Sequence, residues 1–262
     1  MKPQDILNVL ESRVAPVKLS DDFCAKYKLY DNSGIIIDMG GEVTGCVLSL
    51  DFSKNAVAEA VKLGYNLIVT HHPAIYGGIS RLDAVTDGKA AAIAECMKKG
   101  ISVISMHLNF DAAPEGIDYY LMEGLGGRSC SVLATIEGGA YGRAYEIAPV
   151  TVGQFLKHIE STFRTHRAVA FGNADIVIDK VASFCGAGCD GAAMSFAKAQ
   201  GVKAFVSSDL KHHEIAELTE CGMAVIELTH YSAEAYGFGR IYENVKRQLR
   251  VPSSMYYDEG LA

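Results

Sequence analysis

The 262-residue sequence has no tryptophan, only 6 prolines and no long hydrophobic run. Its apolar stretches are strand-length pieces such as LIV at 67–69 and AVI at 224–226. These are far short of the roughly 18 residues that suggest a membrane span. The opening segment MKPQDILNVLESRVAP is broken by Asp5, Glu11 and Arg13 and contains no apolar signal core, so the expected location is cytoplasmic. Positive charge is also scarce: 24 Lys and Arg against 31 Asp and Glu give a formal charge of −7. A polyphosphate partner held by bulk electrostatics needs a basic face, so nucleic acid is not an expected partner. The seven cysteines are odd in number and scattered, which fits reduced thiols rather than a disulfide framework. With nearly half its residues apolar and no low-complexity tract, the chain has an ordinary globular composition.

Four similar units organise it: VKLGYNLIVTHHP, MKKGISVISMHLNFD, AKAQGVKAFVSSD and TECGMAVIELTHYSAE. Each reads as a helix end, a glycine and a short strand. The preceding segments AVAEAVKL, KAAAIAECMKK, GAAMSFAKAQ and HHEIAELTE carry apolar residues at helical spacing. Gly64, Gly100, Gly201 and Gly222 fall where a helix C-terminus favours left-handed backbone. Alternating helix and strand implies a mostly parallel sheet, because parallel neighbours need a crossover connection. Two units lie in each half of the chain. The expected fold is therefore α/β, with two similar lobes over 1–130 and 131–262, closely packed and built on mixed, mostly parallel sheets. Between the two pairs, at about 128–180, SVLATIE, YGRAYEIA, RAVAFG and DIVIDKVASF look like further strands around one helix with Thr151 as its N-cap.

Polar chemistry gathers where such sheets place their sites, beyond the strand C-termini. The stretch LIVTHHPAIYGG at 67–78 puts His71 and His72 directly after a strand. His107 follows ISVISM, Asp209 and His213 follow AFVSS, and His230 follows AVIEL. Asp111 lies four residues after His107, and Glu234 four after His230; a helix beginning at HYSAE would bring the second pair to one face. A lone histidine in such a place is commonly a loop or packing residue, but two adjacent imidazoles need partners for all their ring nitrogens. Imidazole and carboxylate together suit Zn, Mn, Fe, Co or Ni. His71, His72, Asp111, His230 and Glu234 could hold two divalent ions, which would activate a shared water for hydrolysis.

The motifs DNSGIIID at 31–38, NLIVTHHP at 66–73, HLNFDAAP at 107–114, CGAGCDGA at 185–192, SDLKHHE at 208–214 and THYSAE at 229–234 occur in an order that resembles one family. It is the dinuclear-metal family called GTP cyclohydrolase I type 2, or Nif-three-like. The resemblance covers most of the chain. It implies metal ligands at His71, His72, Asp111, His230 and Glu234, with His107 and His213 as groups that support the ligands from behind or transfer protons. It also implies two α/β lobes facing each other across the metal site, and a toroidal homohexamer built from dimers. The inserted middle domain of some members is not expected here. Cys189 and Asp190 replace small residues of the family's glycine-rich stretch, VSSD replaces its usual turn, and His212 replaces an aromatic residue. The pocket shape and substrate preference are therefore open.

CGAGC has a three-residue gap and no second cysteine pair at ligand spacing, which favours a tight turn over a redox or thiol-metal site. The loop YGGISRLDAVTDGK at 76–89, with Arg81 and Lys89, is too irregular to cradle phosphate and reads as a lid, an intersubunit contact or a solvated loop. Two functional classes remain. One is a metal-dependent hydrolase acting on GTP or another small molecule, with His213 or His107 moving a proton. The other is a non-catalytic metal-binding, metal-delivery or scaffold protein with the same ligands.

Overall fold

A computed structural model describes all 262 residues. The chain begins with α1 (Pro3–Arg13), α2 (Val17–Tyr27) and β1 (Gly34–Ile37). A βαβαβ run follows: β2 (Cys46–Ser49), α3 (Lys54–Leu63), β3 (Leu67–Thr70), α4 (Gly88–Lys99) and β4 (Ser102–Ser105). The short helices α5 (Leu108–Ala112) and α6 (Ile117–Gly124) lead to β5 (Arg128–Ile136), β6 (Gly139–Thr151), α7 (Val152–Thr162) and β7 (Val169–Phe171). A second βαβαβ run comprises β8 (Val177–Ser183), α8 (Gly191–Gln200), β9 (Ala204–Ser207), α9 (His212–Glu220) and β10 (Ala224–Glu227). The chain closes with α10 (His230–Val245) and β11 (Ser253–Tyr256).

All four anticipated helix–glycine–strand units are present. Ser53 and Asp87 cap the N-termini of α3 and α4 by accepting backbone N–H groups, and Gly64 and Gly100 end these helices at φ +70° and +66°. Gly201 ends α8 in the same way, whereas α9 ends on Cys221 and the left-handed residue is Gly222, one position later. Thr151 accepts the Gln154 N–H at 3.2 Å, and Gln154 returns a bond from the Thr151 N–H, completing a capping box on α7.

The chain divides into two compact units, 1–110 with 238–257 and 111–237 with 258–262. This differs from the sequence boundary at 130. β11 pairs in parallel with β2, from Ser253 opposite Cys46 to Tyr256 opposite Ser49, so the C-terminal strand belongs to the first sheet. Turn and capping signals report only local structure and carry no information about such a distant pairing.

The first sheet has the order β1-β4-β3-β2-β11, parallel except for β1. The middle strands β2, β3 and β4 are buried along their whole length, which is why they read as continuous apolar runs rather than alternating patterns. Val47, Val57, Ile68, Ile93 and Val103 form its core under α3 and α4. The second sheet, β5-β6-β8-β9-β10-β7, is mixed: β8, β9 and β10 are parallel, while β5, β6 and β7 join antiparallel. Phe184, Phe205, Leu218 and Val225 anchor its core. Each such fully buried apolar side chain contributes about 1.5–3 kcal/mol relative to exposure. No helix is long and apolar enough to cross a membrane.

Candidate metal centre

In the first unit, three parallel strands end in polar residues. Asp51 follows β2, His71 and His72 follow β3, and His107 follows β4. β1 runs the opposite way, with Gly34 opposite Ser105, so the residues entering it, Asp31 to Ser33, arrive at the same sheet edge. His71, His72 and His107 come together there, each offering a ring nitrogen within 4.8 Å of the others.

Their outer nitrogens are tied to oxygen acceptors. His71 Nδ1 lies 2.9 Å from the Met106 carbonyl, His72 Nδ1 2.7 Å from Asp51 Oδ1, and His107 Nδ1 2.7 Å from Asp31 Oδ1. A nitrogen facing a carbonyl or carboxylate at that distance donates, which sets the tautomer and leaves the lone pair on Nε2. Asp31 is itself held as an anion. Burial would raise its pKa, but hydrogen bonds from His107 and the Ser33 hydroxyl outweigh burial and lower it to about 2.

The second unit repeats the arrangement with acids. Cys185 and Gly186 follow β8, Asp209 follows β9, and His230 opens α10 just after β10. His230 Nδ1 lies 2.6 Å from Asp209 Oδ2, and its Nε2 is 3.1 Å from Glu234 Oε1, one helical turn along α10. Asp209 adopts φ +54°, a left-handed conformation uncommon outside glycine. Asp111, on α5, accepts a contact from the Cys185 thiol at 3.4 Å and offers an oxygen within 4.8 Å of one on Glu234. Both carboxylates are buried, at 5% and 2% exposure. Two buried carboxylates so close repel each other, and a divalent cation offsets that repulsion. The donor set therefore fits a metal ion, and these histidine and acid groups could hold one.

Gly186 completes the cradle. Its φ is +61°, and a Cβ placed on it would lie 2.6 Å from Glu234 Oε1 and 3.3 Å from His230 Nε2. Thus CGAGC is a turn that keeps its backbone against two candidate ligands. Burial, with the Asp111 carboxylate adding to it, pushes the Cys185 thiol well above its ordinary pKa, and burial pushes Cys189 up to about 12. Both cysteines are free thiols. High thiol pKa values oppose a thiolate redox pair.

His213 sits in the first turn of α9, exposed and next to buried Glu214, and joins none of the closely spaced ligand groups. Three anchoring groups are absent from the sequence reading, Asp31, Asp51 and the Met106 carbonyl, and Asp209 appears there only as a polar residue at a strand end, with no anchoring role. Their signal was an acid just before or after a strand, which becomes specific only when a histidine on another strand lies opposite.

The model of the family described as Duf34/NIF3 (NGG1p interacting factor 3) matches residues 1–256. The chain belongs to the DUF34/NIF3 family. A Clostridium perfringens relative called GTP cyclohydrolase 1 type 2 homolog is 28% identical, over 95% of this chain and 93% of its own length. The fold of this NIF3 chain is also that of a Staphylococcus aureus hypothetical protein, at a TM-score of 0.82 and 23% identity over 98% of this chain and 97% of the other. A Bacillus cereus protein related to NIF3 gives a TM-score of 0.82 at 17% identity, over 99% and 97%.

Proposed function

We propose that the protein is a metal-dependent hydrolase holding two divalent ions per chain, drawn from Zn, Mn, Fe, Co or Ni, through His71, His72, Asp111, His230 and Glu234. Family membership and the name borne by the clostridial relative support this reading. The observation that carries it is the common anchoring of the site histidines: each ties Nδ1 to an oxygen, Nε2 of His71 and His72 is buried, and Nε2 of His230 lies 3.1 Å from Glu234 Oε1. Bound ions would lower the pKa of a water and offset charge developing during hydrolysis.

The protein's own side chains prepare that chemistry. Asp51 and Asp209 orient His72 and His230, and the Cys185 thiol orients Asp111. Gly186 lets its backbone pack directly against Glu234 and His230, where any Cβ would collide with the carboxylate. Exposed His213 is the proposed carrier of protons to or from solvent. His107 is less suited, since its Nδ1 is committed to Asp31 and its ring packs close to His71 and His72. The proposed substrate is GTP or another small nucleotide-like molecule with an electrophilic carbon or phosphorus. The proposed assembly is a hexameric ring of dimers, for which light scattering should give about six times the 28.1 kDa chain mass.

The test is to load purified protein with Mn, Zn, Co or Fe and assay GTP and simple phosphoesters beside Asp111→Ala. Turnover at least tenfold above that variant is expected. Equal rates across all four metals and both substrate classes would replace the hydrolase with the metal-binding or delivery reading.

A further inference from the structure

We infer that the second unit carries a further binding site, a cavity between the end of α6, α7 and a doubly bulged stretch of β5 and β6, whose ligand is a small zwitterion with an apolar body, of the class of an apolar amino acid. All its lining residues lie within 125–158, and none belongs to the candidate metal centre.

The cavity has a volume of about 620 Å³, within the roughly 300–1,000 Å³ typical of small-molecule sites. Two irregularities in the sheet shape it. On β5, Ser129 is an extra residue between Arg128, opposite Glu146, and Cys130, opposite Tyr145, and it takes φ +45°. On β6, residues 147–149 stand between Glu146, opposite Lys180, and Val150, opposite Ile178, so that three residues face one on β8. A bulge gives up ladder hydrogen bonds and re-aims the side chains beside it, and bulges gather near functional sites. Here both start at the Arg128–Glu146 pair, and both of those side chains line the cavity.

The chemistry of the lining selects the ligand. Leu125 and Phe155, both buried, form an apolar wall with Val150. Arg128 and Glu146 are exposed cross-strand neighbours joined by no salt bridge, so a guanidinium and a carboxylate border the same space. His158 adds an acceptor. Its Nε2 donates to the Gly124 carbonyl at 2.8 Å, which leaves the lone pair on Nδ1, and its ring stacks on Phe155 with an interplanar angle of 18°. A simple anion would meet the Glu146 carboxylate, and a simple cation the Arg128 guanidinium, each an unfavourable like-charge contact. A ligand with both charges satisfies both. Its carboxylate takes the guanidinium of Arg128, its ammonium takes Glu146 and Nδ1 of His158, and its apolar body lies against Leu125 and Phe155.

The experiment titrates the full-length protein calorimetrically with L-phenylalanine. One molecule per chain is expected, with a dissociation constant at or below about 1 mM. Glycine, 3-phenylpropionate and 2-phenylethylamine lack the apolar body, the ammonium and the carboxylate in turn, and each should bind at least tenfold more weakly. Arg128→Gln and Glu146→Gln should each weaken L-phenylalanine binding at least tenfold. Both side chains are exposed, so thermal melting should show folding unchanged. His158→Phe, which keeps the stacked ring and removes its nitrogens, should weaken binding by a smaller factor. No heat from L-phenylalanine up to about 10 mM, or an affinity that both charge variants leave unchanged, overturns the site. If the parent does not bind L-phenylalanine and the two charge variants lose assembly mass in light scattering, the charges join copies of the chain and the inference falls.

Discussion

The two units carry the same βαβαβ run yet prepare different donors. The first presents three imidazoles at the end of an almost wholly parallel sheet, each steadied by an oxygen from a neighbouring strand or loop. The second presents two buried carboxylates and one imidazole at the end of a mixed sheet, steadied by a thiol, an aspartate and a close glycine turn. Neutral nitrogen donors cost little to bury when both ring nitrogens are engaged, whereas two neighbouring carboxylates require countercharge. The second unit accordingly has more polar support beneath its site. Asp118, fully buried, forms an ion pair with Arg143, its Oδ2 2.9 Å from Nε, and accepts the Gly142 N–H at 3.1 Å, while Gly142 lies on the strand beside β8.

That asymmetry predicts where each unit breaks. The largest effect should come from Asp118→Asn, which strands the buried Arg143 charge and should cost about 3–5 kcal/mol. Thermal unfolding should show a clear drop in midpoint, and a loss below about 1 kcal/mol would mean the second unit does not depend on this pair. Gly186→Ala comes next. Its φ of +61° and the 2.6 Å approach to Glu234 should cost about 1–3 kcal/mol and displace the carboxylate. Elemental analysis should then show less metal per chain than in the parent protein.

Asp51→Asn and Asp209→Asn test the anchors separately. Each should weaken metal affinity by about 10–100-fold, as removal of an outer-shell partner commonly does. Equal affinity in parent and variants, measured by chelator competition, would remove the anchoring argument. The smallest effects should come from helix caps. Ser53→Ala in the first unit and Thr151→Ala in the second should each cost about 1 kcal/mol in denaturant melts and leave metal content unchanged. A change in metal content with either would show that helix starts, and not only strand ends, set the site.

Much of this is legible in the sequence. Gly64, Gly100 and Gly201 marked helix ends because left-handed backbone is a local requirement, and the Thr151 capping box spans only three residues. The adjacent His71 and His72, and the i,i+4 pair His230 and Glu234, were visible for the same reason. Asp31 and Asp51 were not. Asp31 lies 76 positions from His107, and Asp51 lies 21 from His72. Their meaning depends on which strand lies beside which.

By itself, the sequence determined the helix and strand types, the alternation that requires crossover connections, and the residue chemistry suited to divalent metals. These follow from short-range backbone preferences and side-chain identity, which every residue carries with it. Tertiary structure alone decided that β1 enters antiparallel beside β4, that β11 returns to β2, and that particular oxygens fix particular imidazoles. Strand order and tautomer are set by long-range pairing, and many pairings are compatible with the same local pattern.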